Sequence, residues 1–345
     1  MGEKCDNTCM KIVFFETPIH EQELVEKLLP DYEKVFVEEK LSTENVAVAK
    51  NADAISVFIN SEIQKDILDA LPDLKYICTR STGYDHIDVI EANKRGILVA
   101  NVPAYGSDTV AEYTFALLLS LSRKIFDGVH QIKEGGDFSI RELRGFDLAH
   151  KTIGIIGTGR IGKNVARIAR GFNMHVVAYD LQPDTLFAKE NGITYKTLED
   201  LAKESDIITL HAPYNKTTHH ILNKTIISHM KRGVYIVNTA RGELIDTDAL
   251  IWGLNEKIIA GCGLDVLEGE RDIKEEMELL SSFGKTLAIK DYKTLLQDHM
   301  LMTMPQVIIT PHIAFYSKEA EESILKTTVE NITNFIQKNP TNLVK

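Results

Sequence analysis

The segment that most constrains this chain is a glycine-rich turn between a short apolar run and a helix-patterned stretch. Gly157, Gly159 and Gly162 directly follow the apolar run 152–156, and Asp180 closes the next apolar run. In a β-α-β unit the first glycine permits a tight turn, the second lets the backbone approach a pyrophosphate, and the third lets helix and strand pack closely. The N–H groups at the helix N-terminus then bind the phosphates. Asp180 would accept hydrogen bonds from ribose hydroxyls and repel a 2′-phosphate, so the pattern predicts NAD rather than NADP.

Composition and charge exclude several classes of protein. The chain has 345 residues and a formal net charge of −11, which favours two domains and argues against nucleic acid or an anionic membrane surface as a partner. No stretch reaches the roughly 18 apolar residues of a membrane span, and the apolar run at 12–15 is too short for a signal peptide. The cysteines, which are few and scattered, predict reduced thiols: Cys5, Cys9, Cys78 and Cys262. We therefore expect a cytoplasmic protein.

Short apolar runs alternate with polar, helix-length segments along the chain, as in open parallel α/β sheets. The first series of runs, which precedes the glycine-rich turn, lies at 10–15, 54–60, 74–79 and 97–102. The second series lies at 152–156, 175–179, 206–211, 233–238, 258–266 and 306–310. Two series predict two doubly wound parallel sheets, and therefore two α/β domains.

The segment between the two series, 110–121, is apolar nearly all round but too short to span a membrane. It predicts a buried helix that serves either the domain junction or a subunit interface, and a homodimer is expected on that basis.

The domain boundaries follow from where the chain changes series. A helical pattern at 317–337 comes after the last run, so we expect the C-terminus to return to the first domain. Hinges near Gly106 and Pro305 then predict a catalytic domain of residues 1–105 and 305–345, and an NAD-binding domain of residues 106–304. The charged, helix-prone insertion at 271–304 carries no chemistry that we can interpret.

One cation, one carboxylate and one imidazole follow successive runs of the second series. Arg241, Glu270 and His312 come after its fourth, fifth and sixth runs. Open α/β sheets bind their ligands at the carboxyl ends of the strands, so we expect these three side chains to lie together in the cleft between the sheets.

These residue types match the needs of hydride transfer between a nicotinamide and a 2-oxo acid. The carbonyl oxygen gains negative charge and must receive a proton, which an imidazolium at position 312 can donate near neutral pH. A carboxylate at position 270 would favour the charged form of that histidine and fix its ring. The substrate carboxylate and carbonyl need a rigid two-point donor that is always charged, which is Arg241.

The remaining histidines near strand ends have other interpretations. His211 ends a run without an acidic partner placed by the sequence, so we expect it to line the cofactor site. His219 and His220 lack metal-ligand spacing and are expected to be solvated, so no metal site is predicted.

These segments resemble a known family, the NAD-dependent D-2-hydroxyacid dehydrogenases. The segments that carry the resemblance are 157–162, 238–242, 264–266 with Glu270, and 310–312. Within the family the chain is most similar to the D-lactate dehydrogenases, including the VanH type of vancomycin resistance, on the segments 79–88, 101–108 and 311–316. The resemblance implies a Rossmann NAD-binding domain inserted into a flavodoxin-like catalytic domain.

The resemblance also implies roles for individual residues. Arg241 would bind the substrate carboxylate and carbonyl, and Glu270 and His312 would form the coupled acid–base pair. The backbone N–H groups of Thr82 and Gly83 would make a second carboxylate site, and Tyr105 would lie at the wall of the substrate pocket. Cofactor contacts, besides those of the three glycines, are implied for Arg160, Ile161, Asp180, His211, Pro213, Thr239 and Asp265, the last near the nicotinamide amide.

The expected activity is the reversible reduction of pyruvate, or a similar short 2-oxo acid, to its D-2-hydroxy acid with NADH. A dehydrogenase of D-2-hydroxyisocaproate or D-2-hydroxyglutarate is a rival, although no second cation for a distal carboxylate lies beside Tyr105 or Phe315. An NAD-sensing binding protein without enzymatic activity is a rival of another class, since such relatives can retain all three catalytic residues.

Overall fold

The computed structural model describes residues 10–270, 272–273, 276 and 292–344. Contacts divide the chain into two compact units, one of residues up to Tyr105 together with those from Ser317, and the other from Gly106 to Tyr316. Among the described helices none is long and apolar enough to cross a membrane.

The first unit contains a five-stranded, wholly parallel sheet in the order β2-β1-β3-β4-β5. This is the flavodoxin-like order. The strands are β1 (Lys11–Phe14), β2 (Glu33–Phe36), β3 (Ala54–Val57), β4 (Tyr76–Thr79) and β5 (Leu98–Ala100). The helices are α1 (Ile19–Leu28), α2 (Lys65–Ala70) and α3 (Val89–Lys94), joined at the end of the chain by the helix Lys318–Ile336.

Both faces of this sheet are buried, because its strands alternate apolar side chains between two clusters. Val13 and Ile55 belong to one cluster, and their chain neighbours Ile12 and Ala54 to the other. The C-terminal helix contributes Ile332 and other apolar residues to the second cluster, and the backbone N–H of Val344 donates to the carbonyl oxygen of Val99. The C-terminus therefore returns to the first unit, as the helical pattern predicted.

The second unit contains a seven-stranded parallel sheet in the order β12-β11-β10-β9-β6-β7-β8. From β6 the chain builds outward through β7 and β8 on one side and then crosses to the other side, where β9 pairs with β6, as in a Rossmann fold. The strands are β6 (Thr152–Ile156), β7 (His175–Tyr179), β8 (Ile193–Tyr195), β9 (Ile207–Leu210), β10 (Val234–Asn238), β11 (Ile259–Leu264) and β12 (Val307–Ile309). The helices are α4 (Ser107–Ser122), α5 (Ile125–Gly135), α6 (Arg160–Gly171), α7 (Thr185–Asn191), α8 (Leu198–Glu204), α9 (Lys224–Ser228), α10 (Thr247–Asn255) and α11 (Tyr292–Thr303), and the C-terminal helix Lys318–Ile336 is α12.

The second boundary differs from the predicted one near Pro305. The strand β12 pairs in parallel with β11, with Gly263 opposite Ile308, so its backbone hydrogen bonds hold it in the sheet of the second unit. Residues 305–316 consequently belong to the second unit, and the chain returns to the first unit only between Tyr316 and Ser317.

The predicted buried helix is α4, and it is buried within its own unit. Phe115, Leu118 and Leu121 pack in the cluster that covers one face of the second sheet. The next helix, α5, has no buried residue, and its apolar side chains Phe126 and Ile132 are exposed. The apolar surface of α4 is largely used inside the unit, whereas α5 presents exposed apolar side chains.

Two strands were missed by the sequence pattern, and both lie at a sheet edge. β2 reads Glu-Lys-Val-Phe and β8 has only three residues. An edge strand needs no continuous apolar run, because only one of its sides pairs and charged side chains there hinder aggregation.

Candidate active site

The glycine-rich turn lies between β6 and α6 and is shaped by close backbone contacts. Gly157 has a φ of +92°, and a Cβ there would lie 2.5 Å from the backbone N of Ala212, in the loop after β9. A Cβ at Gly162 would collide with the carbonyl oxygen of Gly157. The turn therefore sits at the point where the sheet order reverses, which is where open α/β sheets bind ligands.

The turn fits a dinucleotide. A Cβ at Gly159 would have no heavy atom within 4 Å, so no contact inside the protein requires glycine at this position. Gly159 is the N-cap of α6, whose first residues are Arg160 and Ile161, and the first N–H groups of a helix have no partner within it. A glycine at this position leaves room for a pyrophosphate to approach these N–H groups.

Asp180 directly follows β7 and contacts the glycine-rich turn. Its Oδ2 accepts hydrogen bonds from the backbone N and the Oγ1 of Thr158, at 2.6 and 2.8 Å, and its Oδ1 accepts one from the backbone N of Gln182 at 2.9 Å. Partial burial opposes ionisation, but these hydrogen bonds outweigh it and lower the pKa of Asp180. The carboxylate is charged near neutral pH, and a pair of oxygens can accept further hydrogen bonds.

His211 follows β9, beside the same turn. Its Nε2 is 2.9 Å from the Oγ1 of Thr209, whereas its Nδ1 is buried without a hydrogen-bond partner among the described residues. Burial lowers the pKa of His211 to about 3, so the ring is neutral near neutral pH. A buried polar atom without a partner is costly, and a cofactor group would satisfy it. Pro213 is exposed nearby in the chain.

Arg241, Glu270 and His312 follow three adjacent strands. Asn238 of β10 is in register with Leu264 of β11, which is in register with Ile309 of β12. Because all three strands are parallel, the segments that follow them leave from the same edge of the sheet.

The structure brings Glu270 and His312 into contact. The Oε1 of Glu270 lies 2.9 Å from the Nδ1 of His312, and both side chains are partly buried. The other ring nitrogen, Nε2, makes no hydrogen bond to a described residue. His312 has a φ of +57°, a left-handed conformation that a residue other than glycine adopts only when its surroundings impose it.

Asp265, predicted as a cofactor contact, holds the segment that carries His312. Its carboxylate accepts hydrogen bonds from the Thr310 hydroxyl at 2.5 Å and from the backbone N–H groups of Ile313 and Ala314 at 3.0 and 2.8 Å. Its carbonyl oxygen accepts the backbone N–H of His312 at 2.9 Å. Burial raises the pKa of Asp265, and these hydrogen bonds oppose the rise.

Arg241 is half-buried, and its backbone is fixed by a neighbour. The Nδ2 of Asn238 donates to the carbonyl oxygen of Arg241 at 2.8 Å, while the Oδ1 of Asn238 accepts the backbone N–H of Ala240 at 3.0 Å. Thr239, the predicted cofactor contact between them, is buried, with its hydroxyl 3.0 Å from that of Thr114.

The remaining predicted substrate residues, Thr82, Gly83 and Tyr105, belong to the first unit. Thr82 and Gly83 follow β4, and the Oγ1 of Thr82 donates to the carbonyl oxygen of Val102 at 2.9 Å. Their backbone N–H groups donate to no acceptor within the described part of the chain. Tyr105 is half-buried.

Sequence reasoning missed a polar cluster beside Glu270 and was wrong about His220. The Nε2 of His220, which was expected to be solvated, lies 2.6 Å from the Oε1 of Glu268, and the Thr247 hydroxyl donates to the Oε2 of Glu268 at 2.6 Å. These residues are far apart in the sequence and no spacing rule joins them. His219 is exposed, as expected.

Comparisons with known proteins find relatives that match most of this chain. Residues 115–314 match the family model described as the D-isomer specific 2-hydroxyacid dehydrogenase, NAD binding domain. The aromatic 2-oxoacid reductase of Clostridium sporogenes is 41% identical over 295 residues, 84% of this chain and 85% of the relative. The D-lactate dehydrogenase of Escherichia coli is 33% identical over 332 residues, 94% of this chain and 96% of the relative.

A solved structure agrees over almost the whole chain. The D-lactate dehydrogenase of Aquifex aeolicus, in complex with NAD and lactic acid, superposes with a TM-score of 0.84 at 36% identity, covering 95% of this chain and 96% of that one. This chain therefore belongs to the D-isomer specific 2-hydroxyacid dehydrogenase family. It is an NAD-dependent oxidoreductase that acts on the CH–OH group of D-2-hydroxy acids.

Proposed function

We propose that this enzyme reduces pyruvate, or a 2-oxo acid of similar size, to the D-2-hydroxy acid with NADH, and is a D-lactate dehydrogenase. The observation that carries the proposal is the 2.9 Å contact between Glu270 and the Nδ1 of His312, at the edge of the sheet from which Arg241 also leaves. We assign residues 106–316 as the NAD-binding domain and the first unit as the substrate domain.

His312 is the proton donor in this proposal. With Nδ1 directed to Glu270, its Nε2 is the nitrogen that can donate a proton to the substrate carbonyl oxygen. The negative charge of Glu270 favours the imidazolium, and the hydrogen bond fixes the plane of the ring. Asp265 acts indirectly, because its four hydrogen bonds with residues 310–314 determine where the histidine lies.

Arg241 binds the substrate in the same proposal. Its guanidinium is always charged and can hold the carboxylate and the carbonyl oxygen at two points, which orients the carbonyl and stabilises the charge that develops on it. The N–H groups of Thr82 and Gly83 are proposed to bind the substrate carboxylate, and their lack of a described protein acceptor supports this role.

The second unit holds the cofactor. When NADH is bound, its nicotinamide supplies the hydride. Asp180 binds the adenosine ribose, and the glycine-rich turn with Arg160 and Ile161 binds the pyrophosphate. The neutral His211, with Pro213, Thr239 and Asp265, lines the rest of the cofactor site.

Aromatic side chains beside His312 favour a small substrate. The ring of Phe315 lies edge-on to that of His312, with the centroids 6.5 Å apart, and Tyr316 lies 5.8 Å beyond Phe315. Phe315 is therefore close enough to limit the space around the substrate carbonyl. Tyr105 is proposed to form another part of the pocket wall.

Measuring NADH oxidation with a panel of 2-oxo acids tests this proposal. We expect pyruvate to have a higher kcat/KM than 4-methyl-2-oxopentanoate. A pocket of this kind discriminates between substrates by about 1–3 kcal/mol for each additional methylene group. Tyr105→Ala should move the preference toward the branched acid, while Tyr292→Ala, an exposed tyrosine on α11, should leave it unchanged. Equal efficiency on both acids would contradict the D-lactate assignment and leave the family assignment intact.

A second candidate is the reduction of aromatic 2-oxo acids. The identity of 41% to the aromatic 2-oxoacid reductase of Clostridium sporogenes favours it. Phenylpyruvate belongs in the same panel for this reason. A kcat/KM for phenylpyruvate above that for pyruvate would support the second candidate and exclude the first.

We also propose that the enzyme is a homodimer formed through α5 and the segment after it. The apolar face of α5 is exposed, and Phe138 and Ile140 are 85% and 89% exposed. Several exposed apolar side chains close together in the chain favour a protein interface at this segment. Light scattering after gel filtration should give twice the chain mass, and Phe126→Asp should give a monomer. A monomeric unaltered protein at micromolar concentration would refute the dimer.

A further inference from the structure

A buried carboxylate that the proposed chemistry does not use lies against the loop that carries Glu270. Asp298, on α11, is fully buried. Its Oδ2 accepts the backbone N–H of Gly269 at 3.1 Å, while its buried Oδ1 has no hydrogen-bond partner among the described residues. A buried carboxyl group with one unsatisfied oxygen costs free energy of folding, so its presence needs a reason.

The contact with Gly269 is tight. A Cβ at position 269 would lie 2.6 Å from the Oδ2 of Asp298 and 3.0 Å from the Cγ2 of Thr294. The backbone of the loop therefore runs directly against α11. Gly269 immediately precedes Glu270, whose own N–H donates to the carbonyl oxygen of Leu267 at 3.4 Å, so the contact with Asp298 adds to what fixes the backbone at Glu270.

The rest of the loop is held by a different set of groups. Glu268 is paired with His220 and accepts the Thr247 hydroxyl, so the residue on the other side of Gly269 is anchored to α10 and to the loop after β9. Asp298 is the described side chain that binds the peptide N–H next to Glu270. Asp298 therefore connects α11 to the residue next to Glu270. This helix lies in the insertion 271–304, for which the sequence predicted no chemical role.

The hydrogen bond from Gly269 to Asp298 does not depend on the charge state of the carboxyl group. Burial raises the pKa of Asp298 to about 7; the Gly269 N–H and His299 oppose the rise, and the negative charges of Glu268 and Glu270 add to it. Whether protonated or ionised, the carboxyl group retains an oxygen that can accept the Gly269 N–H.

We propose that Asp298 is a positioning residue, which through the Gly269 N–H holds Glu270 at hydrogen-bonding distance from His312. The inference rests on the roles proposed above for Glu270 and His312. Without the acceptor, the Glu270 carboxylate is held less precisely relative to the imidazole. Misplacement by about 1 Å at a catalytic pair can cost up to about a hundredfold in rate, so loss of a positioning contact is expected to cost about tenfold.

Steady-state kinetics of three variants test the proposal, with NADH and whichever 2-oxo acid the panel selects. Asp298→Ala should lower kcat about tenfold with NADH affinity unchanged. It should also move the fall of kcat/KM at high pH to lower pH, because a less well placed Glu270 stabilises the imidazolium less. Asp298→Asn retains an oxygen acceptor without a charge and should restore both properties.

The matched control is Leu295→Ala, which removes a buried apolar side chain one turn earlier on α11. It should lower the melting temperature while leaving the pH profile unchanged. If Asp298→Ala retains the native kcat and pH profile, or if Leu295→Ala reproduces its kinetic defect, the positioning role is wrong. If Asp298→Asn behaves like Asp298→Ala, charge rather than hydrogen bonding is responsible and the proposal fails.

The outcome is separable from that of the proposed function. An active His312→Gln enzyme would overturn the acid–base pair itself. An inactive His312→Gln enzyme alongside a fully active Asp298→Ala enzyme would overturn only the role of Asp298.

Discussion

The two sheets share one architecture but use their strand ends differently. In the first unit, Arg80 follows β4, is only 2% exposed, and turns back into the framework. Its Nη2 donates to the carbonyl oxygens of Phe15 and Glu16, at 2.8 and 2.6 Å, and its Nη1 donates to the Oγ of Ser56 at 3.1 Å. The guanidinium of Arg80 therefore stabilises the first unit through these internal hydrogen bonds.

In the second unit, the side chains that follow β10, β11 and β12 include those of the proposed active site. Asp265 fixes the segment that carries His312, and Glu270 meets the ring of that histidine. A parallel sheet brings strand ends together in both units, but only the internal hydrogen bonds decide whether a charged side chain is structural or available to a ligand. An arginine after a strand is therefore no indicator of function by itself.

The largest effect that sharpens this comparison is expected at His312. His312→Gln should bind NADH normally and lose about two to four orders of magnitude in kcat, because a positioned general acid contributes that much. His229→Gln, an exposed histidine of the same unit, is the control and should retain native activity. Stopped-flow and steady-state assays measure the loss, and near-native turnover would remove His312 from the mechanism.

A smaller effect, on stability and not on catalysis, is expected at Arg80. Arg80→Ala should lower the free energy of unfolding by about 3 kcal/mol, since it leaves the partly buried Glu21 carboxylate and two carbonyl oxygens without their cation. NADH affinity measured well below the melting temperature should be unchanged, because the cofactor residues belong to the other unit.

Arg232→Ala provides the control for Arg80, since this exposed arginine of the second unit contacts one backbone oxygen, that of Glu256. Thermal and urea unfolding should show little change for it. A loss of NADH affinity in Arg80→Ala that matches its loss of stability would break the contrast between the units.

The smallest effect is expected at Asp180. Asp180→Ala should weaken NADH binding about tenfold and relax the discrimination against NADPH, since it removes a charged hydrogen-bond acceptor and its repulsion of a 2′-phosphate. Glu190→Ala removes the same charge from an exposed position on α7 and should change neither affinity. Fluorescence titration with both cofactors measures the ratio, and an unchanged ratio would mean that Asp180 does not face the ribose.

How far the sequence predicts this protein depends on whether a feature is local. The two sheets, the glycine-rich turn and the return of the C-terminus were predicted, because buried parallel strands are continuous apolar runs and the turn needs glycines at fixed spacing. The edge strands β2 and β8 were missed, because half of each strand faces solvent and leaves no apolar run.

The second domain boundary shows where local reasoning fails. The sequence pattern predicts a domain boundary near Pro305. The backbone pairing of β12 with β11 instead assigns the segment that follows Pro305 to the second unit. The apolar run 306–310 already belonged to the second series, and its pairing with β11 shows that the boundary lies after this run and not before it.

The candidate site shows the same difference between features that are local in the sequence and contacts between distant residues. The sequence by itself determined the residue types available at the strand ends, Arg241, Glu270 and His312 among them, because those types and their place after a strand are local properties. The contact between Glu270 and His312 was expected, and the structure places the two groups 2.9 Å apart, whereas only the tertiary structure decided that His220 pairs with Glu268 and that Asp298 is buried against Gly269. Each of these contacts joins residues far apart in the chain, so it depends on the packing of strands and helices and not on any spacing within the sequence.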